Sequence, residues 1–222
     1  GLLKFGDRIG HGLALGSDPK LWAARLPQTP ETLDERLDDL LWELERYQKR
    51  ELSVDSARLE YVRAEILKLA RIQYAGTDDF SVDDLILARR WRHSPSLLQR
   101  IGYPYLGTQR RSLLPSGKAY ELLWRYLTDH YVFLRGQQTL LVRCDETEQR
   151  LLSEAQKWLR TIIGKLEITI ESNPSSNLLI GGFPSLESLP VLRMQPITTD
   201  RAHDAPPLLV SLNTDNPITF SS

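Results

Sequence analysis

The sequence predicts an α/β chain in which strand-type segments at both ends bracket a long helical stretch. Three observations carry this reading. Short apolar runs and alternations occupy residues 2–15 and residues 165–212. Between them, leucines recur in steps of three and four, the spacing of one helix face. Loops rich in Gly, Pro, Ser and Asn separate these segments. At 222 residues, with 41% hydrophobic and 26% charged side chains, the chain has a globular composition and room for one or two domains.

Leu2, Leu3, Phe5, Ile9, Leu13 and Leu15 surround a Gly-rich segment, read as a strand that ends near His11. Gly10 and Gly12 there suit unusual backbone angles or close approach to a ligand. Thr29-Pro30-Glu31 predicts a helix start, followed by Leu33, Leu37, Leu40, Leu41 and Leu44 at helical spacing. Leu59, Val62, Ile66 and Leu69 form a second stripe. Ser81-x-x-Asp84 has the pattern of a capping box and opens a third helix running to about His93. Residues 94–116 read as loop, 118–134 as a fourth helix and 146–163 as a fifth. Leu166, Ile168 and Ile170 then alternate with Glu167, Thr169 and Glu171, which predicts a strand. Asn173-Pro174-Ser175-Ser176-Asn177 reads as a loop. Leu208 to Leu212 is an apolar run suited to a parallel strand covered on both faces. The expected organisation is therefore a strand and His-bearing loop over 1–16, an all-helical insertion over 17–165, and strands over 166–222.

Charge and cysteine content narrow the function classes. With 28 basic and 29 acidic residues the net charge is −1, which disfavours a general nucleic-acid binder and leaves only a local patch for that role. The single cysteine, Cys144, excludes an internal disulfide and a cysteine-based metal site, and fits a reducing compartment. No apolar run approaches a membrane span and no signal-peptide pattern opens the chain, so a cytoplasmic location is expected. The only methionine is Met194 and the first residue is Gly1, so the chain is expected to be a segment of a longer protein.

His11 and Asp215 both fall where a predicted strand ends. In barrels of alternating strands and helices, catalytic side chains sit at the C-terminal strand ends. About three strands cannot close an eight-stranded barrel, so the remaining strands are expected upstream.

Two strings give this placement chemical content. Arg8-Ile9-Gly10-His11-Gly12 resembles the glycine-histidine-glycine segment of the adenosine deaminase family, and Ser211-Leu212-Asn213-Thr214-Asp215-Asn216-Pro217 resembles its Ser-Leu-Asn-Thr-Asp-Asp-Pro segment. Between them, Glu171 to Asn177 resembles the family's Pro-x-Ser loop, in the same order along the chain. The resemblance covers residues 1–16 and 166–222. It implies the C-terminal part of a TIM-type (β/α)8 barrel and a zinc site. It also implies that His11 orients and deprotonates a metal-bound water and that Asp215 binds the metal. Zinc lowers the pKa of such a water towards about 7, and the resulting nucleophile attacks C6 of adenine with loss of ammonia.

The chain departs from the family in three ways. The early His-x-His pair and the segment bearing a third zinc-binding histidine and a catalytic glutamate have no counterpart, since only His11, His93, His130 and His203 exist. The remainder of the same protein must then supply the other zinc ligands. Asn216 stands where the family has a second aspartate that contacts purine N7; an asparagine amide donates to that acceptor without taking up a proton, or marks a changed substrate. Finally, residues 17–165 replace a short connection. A deaminase barrel enlarged by helical insertions resembles the large deaminase subunit of the bacterial RADAR antiphage system. That resemblance implies a homo-oligomer, an ATPase partner, and adenine nucleosides, nucleotides or RNA as substrates.

Other readings stay open at several residues. Asp215 and Asn216 also suit a turn after a strand, and His11 also suits a core position. Ser175, Ser176 and Asn177 read as loop structure. Arg89-Arg90-Trp91-Arg92-His93 and Arg110-Arg111 are the notable basic clusters. They read as a solvated helix face or, through Arg89, Arg90 and Arg92, as a phosphate or RNA contact with Trp91 stacking on a base. The insertion reads as a subunit contact or a lid. Two rival functions remain: another metal-dependent amidohydrolase on the same barrel, and a degenerate, non-catalytic barrel scaffold.

Overall fold

A computed structural model describes residues 3–77, 79–94, 117–181, 183, 185–195 and 206–213. The protein is mixed α/β, dominated by helix, with a small parallel sheet. It divides into two compact units, one of Gly1–Thr29 with Arg143–Ser222 and one of Pro30–Val142.

The first unit is built on three parallel strands, β1 (Arg8–Gly10), β4 (Thr169–Ser172) and β5 (Leu209–Leu212), in the order β1-β4-β5. Arg8 pairs with Thr169, Gly10 with Glu171 and Glu171 with Ser211. Side chains alternate across the sheet. Ile9, Ile170 and Val210 therefore share one face, where they pack with Leu15, Ile163, Ile168, Met194 and Leu208. Ile163 comes from α7 (Glu146–Lys165), the helix that leads into β4. The alternation from Leu166 marks a strand that begins three residues later than its first apolar residue. Leu166 caps α7, Glu167 turns the chain at φ 50°, and β4 starts at Thr169. Three further α-helices belong to this unit among the described residues, α1 (Pro19–Arg25), α8 (Pro174–Gly181) and α9 (Val191–Met194). The segment expected as a loop after β4 is thus helical, with proline at its first position, where the missing N–H costs nothing.

The second unit contains α2 (Leu33–Gln48), α3 (Ser56–Gln73), α4 (Val82–Arg92), α5 (Lys118–Thr128) and α6 (His130–Gly136). Leu33, Leu40, Leu44, Ile66, Leu69, Leu122 and Leu123 are among its large buried side chains. The leucine stripes read from the sequence are the core-facing stripes of α2 and α3. Helix α2 starts three residues later than Pro30 suggests. A capping box fixes the start: Thr32 Oγ1 accepts from Glu35 N at 3.2 Å, and Glu35 Oε2 accepts from Thr32 N at 2.9 Å. Ser81 and Asp84 form the second capping box, as their spacing predicts.

The single helix expected over 118–134 is two. Asp129 lies in extended backbone (φ −91°, ψ 106°) and its carboxylate caps the Tyr131 and Val132 amides. Arg125 donates to the same carboxylate at 2.9 Å, which fixes the break. The stretch expected to be all-helical also holds two paired strands, β2 (Gln28–Thr32) and β3 (Thr139–Arg143), and the unit boundaries fall within them. Both boundaries lie inside 17–165, so α1 and α7 belong with the parallel strands. Among the described residues, no helix is long and apolar enough to cross a membrane.

Candidate active site

Because β1, β4 and β5 are parallel, their C-terminal ends lie side by side, and each end carries one of the three resembling segments. The ladder continues one residue past the strands: His11 N donates to Glu171 O at 3.0 Å, and Asn213 N donates to Ser172 O at 2.9 Å. Asn213 therefore lies directly beside the end of β4. Asp215, Asn216 and Thr214 themselves lie outside the described residues, as do Arg110 and Arg111.

His11 is exposed and follows β1 immediately. It adopts φ 61°, the left-handed region that side chains other than glycine enter rarely. Flanking glycines suggest that they would take the unusual angles; instead the histidine does. Gly12 serves by close approach, since a Cβ there would stand 3.2 Å from Cγ2 of Ile170. Strained backbone at a polar, exposed residue is common at functional sites. Nδ1 of its ring lies 2.9 Å from Oδ1 of Asn177 on α8, a residue with no exposed surface. Asn177 Nδ2 in turn donates to Ser172 Oγ at 3.1 Å, at the buried end of β4. Ser175 is exposed and Ser176 half-buried beside this contact.

On the sheet face opposite the core, a polar set ties the strand ends together. Arg8 Nη2 contacts Glu171 Oε1 at 2.7 Å and donates to Ser211 Oγ at 3.0 Å, and Asn213 Nδ2 donates to Glu171 Oε1 at 2.9 Å. One carboxylate thus bridges β1 and the residue after β5. Such a set can orient a polar ligand at the strand ends and hold the three segments in register. Asn177, Ser172, Arg8 and Glu171 escape a reading by residue type. Their only sequence signal is membership of the two motif segments.

The described residues do not make a zinc site by themselves: no group of three or more His, Cys, Asp or Glu side chains gathers among them. A zinc ion at these strand ends would need ligands from outside the described residues.

The basic cluster of α4 is turned into its own unit. Arg89 Nε and Nη2 donate to the Asp38 carboxylate at 2.8 and 3.1 Å, and Arg92 contacts both Asp38 and Asp34. Arg92 also lies over the Tyr126 ring, 4.5 Å from its centre, and Arg90 Nε donates to Glu45 Oε1 at 2.8 Å. Burial raises the Tyr126 hydroxyl pKa against the opposing Arg92 charge, and the Asp34 carboxylate that accepts its hydrogen bond adds to the rise. This is a partly buried ion-pair network, unlike a freely solvated face.

Compared with known proteins, the chain matches no family model and no curated protein.

Proposed function

We propose that this chain is the C-terminal metal-site segment of a zinc-dependent hydrolase that deaminates an adenine moiety. The observation that supports it most is the grouping of the three resembling segments at the C-terminal ends of adjacent parallel strands. In this reading β1, β4 and β5 are consecutive strands of a TIM-type (β/α)8 barrel, and the rest of the protein supplies the other strands and zinc ligands. Helix-containing connections between parallel neighbours suit that fold.

Zinc, when bound, supplies Lewis-acid activation of water. The chain's own residues do the rest. Asp215 is its metal ligand. His11, rigidly placed by Asn177 and the Glu171 carbonyl, orients the attacking water and accepts its proton. Asn216 donates its amide to purine N7. Arg8, Glu171 and Asn213 hold the strand ends that carry these groups.

The test uses the protein containing this chain, loaded with zinc, and offers adenosine, AMP, ATP and adenosine-containing RNA. Mass spectrometry reads a product one amino group poorer and one hydroxyl richer. Product from any of these, lost in Asp215→Ala, is the expected result and names the substrate class. Absence of product with zinc bound overturns the adenine assignment.

A further inference from the structure

We propose that the cavity between α2, α3, α4 and α5 is a binding site for one resident water molecule, held by the Gln73 side-chain carbonyl and the Tyr74 hydroxyl. The site lies within the helical unit and is independent of the deaminase reading.

Two buried polar groups there need a partner. Gln73 is 1% exposed, and its Nε2 donates to Asp34 Oδ1 at 2.9 Å. Its Oε1 is sealed from solvent and accepts from no described protein group. Tyr74 is also buried. Among the described residues, the hydrogen bonds of Tyr74 all run through its backbone N–H and carbonyl. Burial pushes its hydroxyl pKa up, Arg92 opposes the rise, and Asp34 and Tyr126 add to it. The hydroxyl therefore keeps its proton and feels the charges that line the cavity.

Neither group can turn elsewhere. Flipping the Gln73 amide would set Oε1 against the Asp34 carboxylate, which accepts from the Tyr126 hydroxyl and pairs with Arg92. The amide also lies against Gly136, where a Cβ would stand 2.9 Å from Nε2. The backbone carrying both side chains is pinned: Arg135 Nε donates to Gln73 O at 2.8 Å, and Arg125 Nη1 donates to Tyr74 O at 3.3 Å.

The cavity has the size and chemistry of a water site. Gln73 and Tyr74 line it together with Asp34, Asp38, Arg89 and Arg92, and its space for the centre of a water molecule is about 20 Å³. One water needs about 10–15 Å³ of such space and two to four polar partners. It would donate to Gln73 Oε1, accept from the Tyr74 hydroxyl and keep a second proton for the carboxylates. An ion suits the place less well, because the two carboxylates already face two guanidinium groups. A buried amide oxygen left without a donor is destabilising, and native interiors meet that need with water where there is room.

The test counts water. 17O magnetic relaxation dispersion of the full 222-residue chain registers water molecules held for longer than the protein takes to tumble. The double variant Gln73→Met, Tyr74→Phe replaces both polar groups by apolar ones of similar size and should lower the dispersion amplitude by the contribution of one water. An equal amplitude in wild type and in a variant that circular dichroism shows to be folded overturns the proposal. If the variant does not fold, a high-resolution crystal structure of the wild type decides. A solvent peak within hydrogen-bond distance of both Gln73 Oε1 and Tyr74 Oη is the expected result, and a cavity without such a peak overturns the proposal.

Discussion

Glu43 and Arg58 form the most consequential ion pair of the helical unit, and removing Arg58 should cost far more than removing any surface charge. Glu43 on α2 is 1% exposed and Arg58 on α3 is 8% exposed. Arg58 Nε and Nη2 donate to Glu43 Oε1 and Oε2 at 2.7 and 2.8 Å, and Tyr47 Oη donates to Oε1 at 2.6 Å. Burial raises the Tyr47 hydroxyl pKa, with the Glu43 carboxylate adding to the rise, so Tyr47 stays a donor throughout the accessible pH range. Arg58→Met leaves a carboxylate buried with one neutral donor, which costs about 3–5 kcal/mol. With a urea slope of about 2 kcal/mol per molar, the midpoint should fall by roughly 1.5–2.5 M. Lys68 and Glu65 on α3 provide the contrast, since the Lys68 side chain is 65% exposed. Lys68→Ala should cost less than about 1 kcal/mol. The triple variant Glu43→Leu, Tyr47→Phe, Arg58→Met removes the whole polar group and should return to within about 1 kcal/mol of the wild type or exceed it. Urea titrations of the full chain followed by circular dichroism measure all three. An Arg58→Met midpoint no lower than that of Lys68→Ala would refute the reasoning.

Three further predictions concern a close backbone approach and a helix cap. A Cβ at Gly16 would overlap the backbone carbonyl of Pro190, so Gly16→Ala should destabilise the first unit by more than the 1–3 kcal/mol of ordinary overpacking, read as a lowered thermal midpoint. Thr32→Ala should cost about 1 kcal/mol at neutral pH through loss of the α2 cap. The Thr32 backbone N–H, and then its hydroxyl, lower the Glu35 pKa. Folded Glu35 is therefore the stronger acid. Its contribution is fully present above the unfolded carboxylate value of about 4.3 and is lost as pH falls through the lower folded value. Glu35→Gln should make that part of the acid limb of a stability profile flatter, and an unchanged limb would remove Glu35 from it.

Periodicity made the helical unit legible, because leucine steps report burial directly and burial is what α2 and α3 supply. It failed where one polar side chain decides the backbone. Asp129 splits a helix through its caps, and Thr32 delays another through a box that starts after Pro30. It also missed β2 and β3, whose residues lie within the stretch read as all-helical. The candidate site was legible as strings, and the parallel register explains why strings more than 160 residues apart bear on one place: His11 and Asn177 are 166 positions apart in sequence. What the strings did not reveal is direction. Arg89, Arg90 and Arg92 look like a ligand surface by composition, and only the placement of Asp34, Asp38 and Glu45 on α2 shows where their charges go.

The His11–Asn177 contact should also be visible as an energetic coupling. Replacing His11 by glycine relieves the left-handed backbone, about 1 kcal/mol, but leaves the buried Asn177 carbonyl without its ring partner, which costs about 1–3 kcal/mol. On an Asn177→Ala background no carbonyl is orphaned, so that cost drops out of the His11→Gly change. The two changes should therefore be non-additive by about 1–3 kcal/mol, with His11→Gly distinctly less harmful in the second background. Residues without a shared contact add to within about 0.5 kcal/mol. Additivity at that level, in unfolding titrations of the four chains, would mean that the 2.9 Å contact carries no energy. Coupling of the expected size would mean that a strained, exposed histidine is held in place by a partner that has no surface of its own.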